Sequence, residues 1–169
     1  SILERAAQPS HQGEVFTEYQ QRIVFRQVSA LVAQYDPETA FRWLESQTER
    51  DARYVNGCHP IVHHLGYTAF AKYGDFAPAM EYRRDICNSG YTHGILESLL
   101  AERQLTAEEL VALCATVDTT ALDSWQCYHG LGHGFMFASD DDLVRSIALC
   151  ETFQEERFRG SCINGVFME

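Results

Sequence analysis

The chain has 169 residues, 46% of them apolar, enough for the core of one domain of ordinary size, and a single helical domain over residues 1–169 is expected. Its 24 acidic and 13 basic residues give a formal charge of −11, which repels phosphate backbones and anionic lipid, so nucleic acid is not an expected partner. No stretch reaches the roughly 20 apolar residues that a membrane span needs, and none is expected in this chain.

In chain order, residues 14–34 form the first predicted helix, with Val15, Tyr19, Ile23, Val28, Leu31 and Val32 at close to helical spacing. Asp36, Pro37 and Glu38 read as N-cap, first-turn proline and first-turn acid of a second helix through Phe41, Trp43 and Leu44. Asn56-Gly57 and Asn88-Ser89-Gly90 read as turns or helix entries, and Tyr73-Gly74-Asp75 as a break between two helices. Thr106 to Glu109 has the capping-box pattern ahead of Leu110, Val111 and Leu113. Ser139 followed by Asp140, Asp141 and Asp142 reads as another helix start. A calcium loop is the weaker reading of that acidic run, which lacks spaced ligands and a following glycine. No segment alternates apolar and polar residues over a strand's length. The expected fold class is therefore all-α, with helical hairpins packed as a bundle or short solenoid. The chain starts at Ser1 and stops inside a predicted helix at Glu169, so it reads as a piece of a longer exported or membrane-anchored protein, cut short at its C-terminus.

From about residue 50 onward one short element recurs, beginning at Cys58, Cys87, Cys127 and Cys162. Glycine stands third after the cysteine in three copies (Gly90, Gly130, Gly165). Histidine stands sixth in three (His64, His93, His133), with Met168 in the fourth. The spacing of about 30 to 40 residues suits a two-helix unit. Cys114 and Cys150 fall at the ends of the helices that precede Cys127 and Cys162. Pairing Cys114 with Cys127, Cys150 with Cys162 and Cys58 with Cys87 would staple each second helix to the next unit; Cys87 with Cys114 and Cys127 with Cys150 is the alternative. No Cys-x-x-Cys occurs among the six cysteines, which removes thioredoxin-like, zinc-ribbon and c-type haem motifs. Disulfides at these positions imply an oxidising compartment, whether extracellular, periplasmic or lumenal; six buried thiols in a cytosolic protein is the competing reading. Gly90 with Gly94, and Gly130 with Gly134, share a helix face at a cost of about 1 kcal/mol each against alanine. Either backbones nearly touch there or the missing side chains leave room for a ligand.

Six of the seven histidines lie within the first three copies, and only His11 stands outside. His59 with His63, and His129 with His133, are four apart and present two-imidazole clips on a helix face; His93 has Glu97 at the same spacing. Copies packed side by side would gather His59, His63, His64, His93, His129 and His133 as metal ligands. Imidazole donors favour zinc or copper, with iron and nickel not excluded, and the scarcity of carboxylates disfavours calcium and magnesium. Zinc with an open coordination position would activate water for hydrolysis, with Glu97 as general base. Two groups of three histidines would equally suit copper redox chemistry at a dinuclear site. The helical clips are similar to those of type 3 copper proteins, in the clip and the histidine count alone. Tyr67, Tyr91, Trp125, Tyr128, Phe135 and Phe137 read first as core packing and second as walls for a small organic ligand, haem with axial histidines among them. The functional expectation is an exported metal-binding domain, with metalloenzyme activity as an open extension. The alternative is a disulfide-stapled helical-repeat module for a protein partner, its histidines structural. A lumenal domain that responds to acidification of its histidines is the third.

Overall fold

A computed structural model describes residues 14–117 and 120–168, and every regular element among them is helical. His11 and Glu169 lie outside the described residues. The first helix, α1 (Glu18–Gln34), starts later than its apolar spacing implies. Thr17 Oγ1 accepts from the Gln20 N–H while the Gln20 side chain accepts from the Thr17 N–H, and this reciprocal cap sets the boundary. Its buried face is Val24, Val28 and Val32, one turn apart, whereas Val15, Tyr19 and Ile23 are exposed. In α2 (Pro37–Thr48) the Asp36 carboxylate accepts from the Thr39 N–H at 2.7 Å, as its sequence implies, and that bond holds the carboxyl below the usual range.

Two short helices, α3 (Ala52–Asn56) and α5 (Phe76–Met80), flank α4 (Cys58–Tyr73). Gly74 closes α4 at φ 72°, a left-handed conformation that glycine adopts without strain, and Asp75 caps α5. A tight 3₁₀ turn at Cys87–Ser89, with φ of 53–57° throughout, then leads into α6 (Gly90–Glu102). The Thr106–Glu109 capping box opens α7 (Ala107–Ala115), followed by α8 (Ala121–Ala138), α9 (Leu143–Cys150) and α10 (Glu156–Val166). The helix expected to start at Ser139 starts instead with Asp142 as its N-cap. Ser139 closes α8, and Asp140 and Asp141 turn the chain at φ 56° and 63°, a conformation that aspartate tolerates better than bulkier residues.

The long helices pack in a row, α1 on α4, α4 on α6, α6 on α8 and α8 on α10, and the shorter ones cover that row. Ile61, Leu65 and Phe70 of α4, Tyr91, Ile95 and Leu99 of α6, and Leu131 of α8 are fully buried between them. Each such aliphatic or aromatic side chain contributes about 1.5–3 kcal/mol by leaving water. No helix among the described residues is long and apolar enough to cross a membrane.

Glycine sets how closely the row packs. A Cβ on Gly94 would overlap the His63 carbonyl oxygen, and one on Gly66 the Tyr91 carbonyl. The same device joins α8 to α10, where a Cβ on Gly132 would overlap the Cys162 carbonyl and one on Gly165 the His129 carbonyl. Between α6 and α8 the contact is side chain on glycine: Gly130 lies under His93 and Leu96, and Gly134 under Leu100. Close packing therefore accounts for the paired glycines, backbone on Gly90 and Gly94 and side chains on Gly130 and Gly134, and no ligand space opens at them. Three disulfides form in the favoured pairing: Cys58–Cys87 ties the start of α4 to the turn ahead of α6, and Cys114–Cys127 and Cys150–Cys162 tie the last turns of α7 and α9 to the bodies of α8 and α10. In the loop-entropy account each contributes on the order of 3 kcal/mol.

Gly165→Ala forces a side chain against the His129 carbonyl, and overpacking of this kind costs about 1–3 kcal/mol. The melting temperature is expected to fall by roughly 2–12 °C, at about 2–4 °C per kcal/mol for a chain of this size. Gly160→Ala in the same helix, where nothing lies within 4 Å, should instead be neutral or stabilising by up to about 1 kcal/mol. Equal thermal shifts in the two variants would contradict the packing account.

Candidate metal centre

Because α4, α6 and α8 lie side by side at glycine-limited separation, the imidazoles on their facing turns meet. His93, from the middle helix, is the centre of the group. Its ring lies 5.6 Å from His59 and 5.5 Å from His63 on α4, and 5.1 Å from His129 and 4.6 Å from His133 on α8, centre to centre. Imidazoles sharing one ion at metal–nitrogen distances of about 2.0–2.1 Å stand roughly 5 Å apart by ring centre, so these spacings suit coordination. Two triads result: His59, His63 and His93, with ligand nitrogens all within 4.8 Å of one another, and His93, His129 and His133, likewise.

Neighbouring groups orient several of the rings. His59 Nδ1 lies 2.7 Å from the Cys87 carbonyl, which can only accept, so Nδ1 carries the proton and Nε2 offers its lone pair. His63 Nδ1 faces the Tyr67 hydroxyl at 3.3 Å and Glu97 Oε2 at 3.5 Å, and the Tyr67 hydroxyl itself donates to Glu97 Oε2. Carboxylate and phenol behind a histidine are the partners that fix a metal-ligating ring. The two Nε2 atoms of His129 and His133 converge at 3.1 Å. His93 differs from the others, since both of its ring nitrogens are buried with no hydrogen-bond partner.

Burial also lowers the pKa of two of these rings, His93 and His129. His93, His129 and His133 are only 2%, 3% and 4% exposed. Desolvation, reinforced by the surrounding imidazoles of His133, His63, His129 and His59, pushes the His93 pKa far below the ordinary value. For His129, burial and then His133 lower it to about 4, against an opposing hydrogen bond from Asn164. Neutral imidazoles with free lone pairs are the form that metals bind.

Of the six histidines singled out by sequence, five are brought together and His64 is not. One residue further along a helix turns about 100° away, so His64 faces α1, with Nε2 2.8 Å from Ser29 Oγ and its ring stacked on Phe25 at 4.4 Å. Counting from the cysteines aligned His64 with His93 and His133, but on α4 the face turned to His93 is that of His59 and His63, and the count does not preserve it. Glu97 is fully buried and lies behind His63.

The aromatic group divides. Tyr91, Tyr128 and Phe135 are core residues, while Trp125 is partly exposed and stacks on His129 at 4.5 Å, and Tyr67 pairs with the exposed Phe137. Sequence reading gave no role to Tyr67 beside His63, or to Asn164 beside His129. Tyr67 stands four residues after His63, the spacing that flagged the clips, and Asn164 occupies in the fourth copy the position of His129 in the third. An open cleft of about 410 Å³ leads to the centre from the α4 side, lined by Phe25, His59, His63, Tyr67, His133 and Met168.

These features define a class: an all-helical, three-disulfide chain with a five-histidine cluster, three of its rings buried, built from three helices. No protein-family model, curated protein or solved structure matches the chain.

The depressed pKa of His129 has a measurable consequence. Between its unfolded value near 6.5 and its folded value of about 4, the unfolded chain takes up a proton that the folded chain refuses. This contribution to stability is complete above pH 6.5 and declines as the pH falls toward 4. Thermal melts of metal-free protein from pH 7.5 to 4.5 are expected to show a progressive loss, and a flat profile would contradict burial of the ring as a neutral group.

Proposed function

We propose that the protein binds a transition metal through the histidine cluster. The observation that carries this reading is His93, a buried imidazole with two unpartnered nitrogens among four other imidazoles at coordination distance. A buried polar atom without a partner costs about 1–3 kcal/mol, and a metal ion removes that cost. His59, His63, His93, His129 and His133 are the ligands, and Tyr67 and Glu97 position His63. An all-nitrogen donor set favours zinc or copper, with iron less suited, and does not favour calcium or magnesium. The three disulfides fit an oxidising environment, and the protein acts outside the cytosol, in an extracellular, periplasmic or lumenal compartment. The glycine crossings of α4 on α6 and α8 on α10 support reading the two pairs as copies of one element.

The cleft on the α4 side supports an extension to chemistry, since it brings small molecules to His59 and His63. Metal-assisted hydrolysis and copper redox chemistry are the two classes it would suit. In the first, Glu97 would serve as general base only for a water held beside His63, from which it is 3.5 Å away. A second functional reading, a structural module for a protein partner, draws on His64, which behaves as a fixed packing residue, and on the exposed Leu143, Val144 and Leu149 of α9.

Metal-free protein titrated with zinc or copper(II) tests the metal reading directly. At about a hundredfold excess over the dissociation constant, binding stabilises by about 2.7 kcal/mol, so the melting temperature should rise by roughly 5–10 °C at the 2–4 °C per kcal/mol of a chain this size. His93→Ala should abolish most of that rise, and His64→Ala should preserve it. Identical melting with and without either metal, and no metal retained after gel filtration, would favour the structural module.

A further inference from the structure

His93 contributes a ligand atom to both triads, yet an imidazole offers only one lone pair while it keeps its second N–H. A histidine that holds one ion hands its remaining N–H to a carbonyl, carboxylate or water. His59 does so toward the Cys87 carbonyl, and His63 has the Tyr67 hydroxyl and Glu97 behind its Nδ1. Nothing of the kind stands behind His93, whose Nδ1 and Nε2 are both buried and unpartnered. One ion at the cluster would satisfy one of these atoms and leave the other orphaned. It would also leave imidazoles over, because zinc in a protein takes about four ligands and five rings surround this point. Two ions, one on each side of His93, use all five rings and both orphaned nitrogens.

We propose that the cluster is a dinuclear centre in which His93 bridges two divalent ions as an imidazolate, one ion completed by His59 and His63 and the other by His129 and His133. The inference rests on the metal-binding reading above and adds the number of ions and their connection. As the second ion binds, it displaces the remaining N–H proton of His93 to solvent, so the bridging ring carries one negative charge against the four positive charges of the ions. The two positions are unlike in access. His59 and His63 are half-buried and border the cleft, so the first ion keeps a coordination position open to small ligands. His129 and His133 are buried, with Trp125 stacked over His129 and only His133 of the two touching the cleft, so the second ion is the less accessible and supports the geometry of the first.

The test is titration of copper(II) into the chelator-treated, full-length chain, reading copper per chain by elemental analysis and unpaired spins by electron paramagnetic resonance. Two coppers per chain are expected, with a low-temperature spin count less than half of the copper present, because an imidazolate couples the two ions antiferromagnetically. In His93→Ala the coupling should vanish, leaving spins equal to whatever copper is bound. Should that variant fold poorly, the double substitution His59→Ala with His63→Ala, made at half-buried positions, should hold one copper at full spin intensity. Two coppers with full, uncoupled spin in the native chain would overturn the bridge while leaving metal binding intact. One copper per chain would overturn the dinuclear centre alone, with water then satisfying the second nitrogen of His93. No copper at all would overturn this inference and the metal-binding reading together.

Discussion

The contact on which the rest of the structure depends is that of glycine against the backbone of a histidine-bearing turn. Gly94 lies against the His63 carbonyl, Gly90 within 2.8 Å, by its virtual Cβ, of the His59 carbonyl, and Gly165 against the carbonyl of His129. Without a Cβ at these points the helices approach until main chain meets main chain, which is closer than any larger residue allows. Between α4 and α6 that separation, and between α6 and α8 the seating of His93 and Leu96 on Gly130, let short imidazole side chains from three helices reach a common centre. A methyl group at Gly94 or Gly165 would act on the cluster through the helix positions and not through any contact with a ring nitrogen.

Disulfides and glycines divide the work of holding this arrangement. Each disulfide closes a junction, Cys58 to Cys87 ahead of α6, Cys114 to Cys127 from α7 to α8, and Cys150 to Cys162 from α9 to α10. They fix which segments meet and reduce the freedom of the unfolded chain. Glycine then sets the distance between helix axes. Burial of His93 and His129 works against folding as the pH falls, since desolvation and the neighbouring imidazoles disfavour their charged forms. A fold that holds these two imidazoles neutral at its centre has a local cost that coordination of a metal would offset.

Much of this was readable from the residues, and the exceptions have identifiable causes. Helix starts at Pro37 and Ala107 and the break at Gly74 followed from local cap chemistry, which acts within a turn of chain. The two clips followed from four-residue spacing, whereas the residues left two disulfide pairings open and the fold selects the one that joins Cys58 to Cys87, Cys114 to Cys127 and Cys150 to Cys162. Where expectation and structure part, a non-local or single-residue effect decides. α1 begins at Glu18 because the Thr17–Gln20 cap outweighs the apolar residues before it. The acidic run after Ser139 turns the chain before it caps α9. His64 aligned by counting from its cysteine, but facing direction is set by position within the helix, and one residue beyond His63 the ring turns to Ser29 and Phe25 of α1. The unpartnered nitrogens of His93 have no signature in sequence, because they depend on what three other helices bring beside the ring.

X-ray absorption at the zinc K-edge of the zinc-loaded chain addresses the central claim most directly. Coordination by the cluster requires a shell of nitrogen donors at about 2.0–2.1 Å, with the outer-shell scattering that rigid imidazole rings produce. A spectrum dominated by sulfur, or by oxygen without imidazole scattering, would contradict the account, because the metal would then sit somewhere other than among His59, His63, His93, His129 and His133.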